Sequence, residues 1–254
     1  MDGPPKGHAV SAAELSGKRT AGAATDHSSG MTATKQGERY GPHATGIFHM
    51  LLQIIYIIAI SAEAMTGALA AGRRRMDMFG VIIIATVTAL GGGSLRDMVL
   101  GHYPMGWVRH PAYLGYVISA ALIATALARW MHHLRRTFLI LDGLGLVAFT
   151  LIGCAVARNA GHPAAIIMVA GMLTGSFGGV LRDVLCNEVP LIFQRELYAV
   201  VSLLTGGAYV LLLEAGFPET MVTLGCLAGG FLIRLLAIRY RWEMPKFVYH
   251  EDLH

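Results

Sequence analysis

The same ten-residue motif occurs twice in the chain, each time at the end of a long apolar stretch. Thr88–Asp97 (TALGGGSLRD, motif 1) and Thr174–Asp183 (TGSFGGVLRD, motif 2) align without a gap at an offset of 86 positions. A proline follows each copy at the same offset, Pro104 after motif 1 and Pro190 after motif 2. A charged pair inside an apolar membrane segment is costly, so its repetition indicates a functional constraint.

Seven apolar stretches predict an all-α membrane protein with seven transmembrane helices. Hydrophobic residues make up 54% of the 254 residues and charged residues only 14%, against about 25% in typical soluble domains. A run of about 20 apolar residues is long enough to cross a bilayer as a helix. We number the stretches as the first to the seventh span; they cover about residues 47–71, 78–100, 112–131, 138–157, 164–185, 196–213 and 220–238.

The remaining chain forms two tails. Residues 1–45 contain few large apolar side chains and are predicted to be disordered, because they bury too little surface to offset the entropy of ordering. Residues 46–240 are expected to form a single seven-helix membrane domain, and residues 241–254 a cytoplasmic tail. The N-terminal tail has no apolar segment of the kind found in a signal peptide.

No pattern in the sequence indicates an enzyme. There is no nucleotide-binding loop, no catalytic triad pattern and no cluster with metal-ligand spacing, so we expect no cofactor and no metal. Basic residues lie mainly at span ends and are not expected to form a nucleic-acid surface. The three cysteines, Cys154, Cys186 and Cys226, are expected to act as small apolar side chains.

Basic residues predict the orientation in the membrane. The loop after the first span contains Arg73, Arg74 and Arg75, and the other loops on that side are also rich in arginine, whereas the opposite loops contain only Arg109 and Arg158. Basic loops stay on the cytoplasmic side. We therefore expect an N-terminus outside, a cytoplasmic C-terminus and a location in the cell inner (plasma) membrane.

The offset between the motifs predicts two inverted repeats. It aligns the second span with the fifth, so each unit contains three helices, and an odd number of crossings turns the second unit upside down. Repeat one covers residues 46–131 and repeat two residues 137–214, while the helix at 219–238 has no counterpart. Inverted repeats with glycine-interrupted helices are typical of a transport path at the repeat interface.

Glycines in both motifs favour an irregular helix. Glycine lowers helix stability and permits unusual backbone angles, so kinking or unwinding is expected. Freed carbonyl oxygens could then line a path for cations, with hydroxyls from Thr88 and Thr174. The alternative is close helix packing through small residues. The predicted kink residues are Gly91, Gly92, Gly93, Gly178 and Gly179.

Each motif ends in an arginine and an aspartate, Arg96-Asp97 and Arg182-Asp183. Adjacent residues on a helix do not face each other, so each arginine is expected to reach a partner outside its own pair. A structural bridge between the two motifs, snorkelling to head groups and a charged gate all remain open. Glu63, in the first span, either lines the path or pairs with inner arginines.

Two other ionisable residues lie within the spans. Asp142, expected in the first turns of the fourth span, would stabilise the helix N-terminus. Arg234, near the inner end of the seventh span, is expected to snorkel towards the head groups.

The two motifs and their prolines resemble those of the prokaryotic TRIC family, the trimeric intracellular cation channels, which are related to bacterial putative glycine transporters. The segment Leu141–Phe149 with Gly153 is also similar to the fourth helix of that group. The resemblance covers about residues 46–240. It implies a homotrimer in membrane lipids, with an hourglass path in each protomer that is narrowed where the kinked second and fifth spans meet.

The resemblance also implies the ions and the constriction. Potassium and sodium ions are the expected partners, and the kink residues of the family correspond to the glycines of the two motifs. Phe177 stands where motif 1 has Gly91, so the two helices are not expected to bend identically, and Phe177 could be an apolar plug.

Two further functions remain open. The chain could be a secondary transporter of glycine or a similar zwitterion, whose carboxylate would bind freed amides with help from Arg96 or Arg182. It could also be a membrane scaffold without transport activity.

Overall fold

The computed structural model describes residues 42–128, 134–194 and 197–240, and every regular element in those ranges is helical. The chain divides into two units, Met1–His49 and Met50–His254. In the first unit only the start of one helix is described. The helices are α1 Pro42–Arg73, α2 Met78–Val99, α3 Gly106–Arg109, α4 Ala112–Ala128, α5 Leu134–Asn159, α6 Ala164–Leu185, α7 Leu191–Gln194, α8 Leu197–Glu214 and α9 Glu219–Tyr240.

Five of these helices are long and apolar enough to cross a membrane, namely α1, α2, α5, α6 and α9. The protein is therefore an all-helical membrane protein. The third and sixth predicted spans correspond to α4 and α8, which are apolar but shorter. The four-residue helices α3 and α7 follow the two motif helices.

Several boundaries differ from those predicted from the sequence. Helix α1 begins at Pro42, inside the predicted tail, and α5 begins at Leu134 rather than near Phe138. Residues 1–41, 129–133 and 241–254 lie outside the described residues, so most of the predicted disordered tail and the cytoplasmic tail do too.

Two apolar clusters of buried residues form the core of the second unit. One joins α1, α2, α4 and α5 through residues such as Ile60, Ala85 and Val117. The other joins α5, α6, α8 and α9 through residues such as Leu151, Ile167 and Val201. Helix α5 contributes to both clusters and is the most buried of the five long apolar helices.

Helices α2 and α6 end in turns of the same geometry. Gly101 after α2 and Asn187 after α6 both have positive φ, 65° and 52°. In each turn the next amide donates back to the carbonyl of the motif aspartate, at 2.8 Å from Asp97 and 2.8 Å from Asp183. Equivalent residues of the two motifs therefore end their helices in the same way.

The start of α2 and the end of α6 lie at the same end of the bundle. Arg74, just before α2, donates to the carbonyl oxygen of Asn187, just after α6, at 2.9 Å and forms an ion pair with Glu188. The two motif helices consequently run antiparallel.

The predicted unwinding of the motifs is wrong. Both α2 and α6 are helical from end to end through their glycines. Their main-chain groups therefore keep partners within the helix, which removes the cost of exposing them to hydrocarbon. A bend of either axis remains a prediction.

Candidate functional site

The centre of the candidate site is a crossing of α2 and α6 where glycines touch backbone. A Cβ on Gly92 would overlap the carbonyl oxygen of Thr174, and a Cβ on Gly178 would overlap that of Thr88. The two contacts are reciprocal, since each uses the same pair of motif positions. This close approach explains why neither position carries a side chain.

The other motif glycines have different surroundings. A Cβ on Gly91 would lie 2.7 Å from Cδ1 of Leu181, while one on Gly93 would meet only an arginine nitrogen at 3.8 Å. A Cβ on Gly179 would lie 3.2 Å from a tyrosine hydroxyl. Phe177, at the position equivalent to Gly91, is partly buried. Gly92 and Gly178 thus define the tightest contact of the crossing.

The motif threonines pack against the helices behind the crossing. Thr88 and Thr174 are buried, and each hydroxyl donates to the carbonyl four residues earlier at 2.6 Å. Gly67 of α1 lies against Thr88, and Gly153 of α5 lies against Thr174. In this arrangement both hydroxyls are occupied within their own helices.

At the end of α2 lies a group that we call the motif-1 cluster, consisting of Arg96, Asp97 and His102. Arg96 donates to Asp97 Oδ1 from Nε at 3.0 Å and from Nη2 at 2.7 Å. His102 Nδ1 lies 3.2 Å from the same oxygen, and the Gly106 amide donates to Asp97 Oδ2 at 3.2 Å. Asp97 therefore anchors both the arginine and the start of α3.

A cavity of about 190 Å³ adjoins the motif-1 cluster. Trp107 Nε1 donates to Ser94 Oγ at 3.1 Å on its wall, and the rings of Tyr56 and Tyr113 lie 4.7 Å apart beside it. The cavity gives the motif-1 end of the crossing a partly aromatic vestibule.

At the end of α6 lies a larger group, the motif-2 cluster, centred on Arg182. This side chain is fully buried and donates to Asp183 Oδ1 from Nε at 2.8 Å. Its Nη1 donates to Asp142 Oδ1 at 2.9 Å and to Thr66 Oγ1 at 3.0 Å. Asp183 Oδ2 accepts from the Leu191 amide at 3.0 Å, which anchors α7 as Asp97 anchors α3.

Glu63 and Arg234 complete the motif-2 cluster. Glu63 is buried with its Oε2 at 3.8 Å from Arg182 Nη1. Arg234 is also buried, with Nη2 at 3.9 Å from Asp142 Oδ2 and its guanidinium 4.6 Å above the Tyr198 ring. Five helices, α1, α5, α6, α8 and α9, thus place polar groups in one buried cluster.

Two expectations about these charges are wrong, and a third is wrong for only one of the two arginines. Arg182 reaches Asp142 and Thr66, outside its own pair, as predicted, although it also pairs with Asp183. Arg96 pairs with the neighbouring Asp97 instead, because a long arginine side chain denied water can fold back along its helix. Asp142 lies two turns inside α5, because that helix starts at Leu134, so it does not cap the N-terminus. Arg234 does not snorkel, because it faces the buried cluster.

Sequence reasoning missed Asp142, Arg234, Thr66 and Tyr198 as members of one cluster. The signal was present in the glycines that follow Asp142. A Cβ on Gly143 would lie 2.8 Å from Cγ of Arg234, and one on Gly145 would overlap the Glu63 carboxylate. Glycines beside an ionisable residue in an apolar span therefore made room for charged side chains.

The two clusters differ chemically at equivalent positions. Asp142 and Glu63 correspond, at the offset of the motifs, to Tyr56 and Phe149. The rings of Tyr56 and Phe149 contact each other near motif 1 at 6.0 Å and 78°. An aromatic pair therefore occupies beside motif 1 the place that two carboxylates occupy beside motif 2.

The described residues contain no group of three or more histidine, cysteine or acidic side chains arranged to hold a metal. All three cysteines are free and buried. Burial raises the pKa of the Cys186 thiol, just beyond α6, so this thiol stays protonated at neutral pH. The polar groups that the structure brings together at the site are ion-paired side chains and hydroxyls.

The helices, the glycine crossing and the two buried charge clusters define an all-helical membrane protein with charged groups buried in its interior. A family model described as "Glycine transporter" matches twice, at residues 53–129 and 139–214. The chain belongs to that family. Its resemblance to prokaryotic TRIC channels is confirmed by solved structures.

Curated relatives cover most of the chain. A "UPF0126 membrane protein" of Vibrio cholerae is 35% identical over 80% of this chain and 85% of its own length. The "UPF0126 inner membrane protein YadS" of Escherichia coli K12 is 35% identical over 80% of this chain and 99% of its own.

Solved structures share the fold. The TRIC trimeric intracellular cation channel orthologue from Rhodobacter sphaeroides has a TM-score of 0.73 and 33% identity, over 76% of this chain and 99% of that one. A prokaryotic TRIC channel crystallised in 0.5 M KCl has a TM-score of 0.72 and 28% identity, over 77% of this chain and 100% of that one.

Proposed function

We propose that this protein is a monovalent cation channel that conducts potassium and sodium ions through a path in each protomer. The observation that carries the proposal is the fold shared with TRIC cation channels, with TM-scores of 0.72 to 0.73 over about three quarters of the chain. The absence of an energy-coupling motif in the sequence favours passive flow over pumping.

The chain is further proposed to contain seven transmembrane helices, six of them in two inverted units. Three observations support this arrangement. One family model matches twice at nearly the offset of the motifs. The ends of α2 and α6 share their turn geometry. Gly92 and Gly178 make reciprocal contacts between antiparallel helices.

The proposed path passes the crossing of α2 and α6 and has a charged cluster at each end. The contacts of Gly92 and Gly178 leave no room for an ion between the two backbones, so we assign this arrangement to a closed state. Conduction then requires the two helices to separate or bend at the motif glycines. Arg96 and Arg182, each held by its own aspartate, are the proposed movable gate charges.

The assembly is proposed to be a homotrimer in the lipids of the inner membrane, with the N-terminus outside and the C-terminus in the cytoplasm. The similar protein from Rhodobacter sphaeroides is a trimeric channel, and the relative from Escherichia coli is named an inner membrane protein. The arginine-rich loops support the orientation.

Planar-bilayer recording of the purified protein tests the channel. In a KCl gradient we expect unitary currents that reverse close to the potassium equilibrium potential. Gly92→Ala should reduce conductance, because its Cβ disturbs the crossing, whereas Gly115→Ala in α4, where a Cβ meets open space, is the matched control. A bilayer that stays sealed under the gradient contradicts the proposal.

Arg96→Ala tests the gate. We expect a larger change in open probability than in the ratio of potassium to sodium permeability. A reversal of selectivity would instead assign Arg96 to the filter.

The second candidate is a secondary transporter of glycine or a similar small zwitterion. The description of the matching family model favours it. The unbroken helices weaken the version in which freed main-chain amides bind the carboxylate. Saturable glycine uptake into proteoliposomes without unitary currents would select this candidate.

A further inference from the structure

The motif-2 cluster contains one more buried carboxylate than guanidinium group. Its acids are Glu63, Asp142 and Asp183, and its bases are Arg182 and Arg234, all of them buried. An uncompensated charge taken out of water costs several kcal/mol even after relaxation. The cluster is therefore expected to take up one positive charge.

The three carboxylates are held differently. Asp142 and Asp183 each accept a direct hydrogen bond from Arg182, at 2.9 and 2.8 Å. Glu63 lies 3.8 Å from the same guanidinium, and its Oε1 has no partner among the described residues. Glu63 is therefore the acid that the arginines stabilise least.

The hydroxyl of Thr66 identifies where an extra proton fits. Its Oγ1 lies 2.8 Å from the carbonyl oxygen of Glu63 and 3.0 Å from Glu63 Oε2, and it accepts from Arg182 Nη1. A hydroxyl has only one proton to donate. If Thr66 donates to the carbonyl, the contact with Oε2 requires a proton on Glu63.

We propose that Glu63 is a proton-binding site, at which a neutral carboxylic acid donates its O–H to Thr66 Oγ1 and completes the charge balance of the motif-2 cluster. Phe149 is the residue at the equivalent position of the other repeat, so this position accommodates an uncharged side chain. The charged and titratable groups that face Glu63 are Asp142 on α5, Arg182 and Asp183 on α6, Tyr198 on α8 and, beyond Asp142, Arg234 on α9. Arg73, near Phe138, is exposed and does not replace a buried counter-charge.

The consequence for gating depends on the proposed channel function. Loss of the proton adds a negative charge beside Arg182, which draws this arginine from Asp183 and attracts cations to the path. Open probability should therefore rise with pH on the motif-2 side. One linked proton changes an equilibrium by at most about tenfold per pH unit.

Infrared spectroscopy tests the proton site without relying on transport. Purified wild-type protein at pH 7 should give the carbonyl band of a protonated carboxylic acid, and this band should shift in D₂O. The band should be lost in Glu63→Gln and in Glu63→Met, a second variant in case the first does not fold. Glu214→Gln, at the exposed end of α8, is the matched control and should keep the band.

Each result decides one question. A missing band in the wild type, or a band that persists in both Glu63 variants, overturns the proton site. A band that depends on Glu63 in a protein without unitary currents supports the site and contradicts the channel. Where currents are present, the rise of open probability with pH should be abolished by Glu63→Gln, and a rise that survives this substitution contradicts the coupling.

Discussion

Gly92 and Gly178 illustrate how one missing side chain determines the distance between two helices. Each leaves its α-carbon against a carbonyl oxygen of the facing helix, whereas a Cβ on the neighbouring Gly93 would make only an ordinary contact with an arginine nitrogen at 3.8 Å. Adjacent glycines of one motif therefore have different structural roles. A substitution series within one motif can separate packing from helix propensity.

Gly92→Ala and Gly178→Ala should each lower the free energy of unfolding by about 1–3 kcal/mol, because the added methyl overpacks the crossing. Gly93→Ala should be neutral or stabilise by up to about 1 kcal/mol, because alanine favours the helix. Reversible unfolding in detergent measures all three. Equal effects at the three positions would remove the crossing from the explanation.

Arg182→Ala should be strongly destabilising, by about 3–5 kcal/mol, because it leaves buried carboxylates without their main partner. Arg96→Ala should lower the free energy of unfolding by less than Arg182→Ala does. Asp97 keeps the Gly106 amide and His102 and adjoins a cavity that admits water. Unfolding of both variants at pH 7 provides the comparison, and a larger loss for Arg96→Ala would contradict the assignment of the two clusters.

At the scale of helices, the continuous apolar stretches predicted the helices correctly, whereas the positions of the charged residues did not predict all of their contacts. Each predicted span corresponds to a helix, because a stretch of about 20 apolar residues has few other solutions. The predicted unwinding at the glycines was wrong, because these glycines allow two regular helices to come into close backbone contact. The prediction that Arg96 would not pair with Asp97 was wrong, because the spacing rule describes solvated side chains and not buried ones. The prediction that Asp142 stabilises the helix N-terminus was wrong, because α5 starts a full turn before the apolar stretch does.

The turns after α2 and α6 offer a test of equivalence. Gly101→Ala should cost about 1–2 kcal/mol, because a Cβ at φ +65° is strained although no atom lies near it. Asn187→Ala should also be destabilising, by less, since asparagine already carries a side chain there. Gly115→Ala in α4 is the control and should stabilise, because its Cβ would also meet open space. A stabilising Gly101→Ala would contradict the assigned turn geometry.

At the scale of the whole molecule, the sequence predicted the family and the membrane setting but not the buried network. The resemblance rested on contiguous motifs, which a single chain displays directly. The motif-2 cluster joins Thr66, Asp142 and Arg234 from three distant segments, and sequence spacing carries no information about such contacts. The orientation remains a prediction that rests on the arginine-rich loops.

Cysteine labelling should resolve the orientation. The native cysteines are buried, so a wild-type background should label poorly. Phe217→Cys, in the exposed turn before α9, should react with an impermeant maleimide from outside the cell. Val189→Cys, exposed after α6, should react only after the membrane is opened. The reverse pattern would invert the proposed topology.

The exchange of two aromatic rings for two acids makes the two ends of the molecule unequal in acidic groups, so only the motif-2 end can gain a negative charge when Glu63 loses its proton. Tyr56 and Phe149 lie near motif 1, whereas Asp142 and Glu63 lie near motif 2. The proposed channel should therefore rectify once Glu63 is ionised: in identical salt on both sides, current should be larger in one direction at matched voltages. Replacing Asp142 by asparagine should make the current–voltage relation more symmetrical.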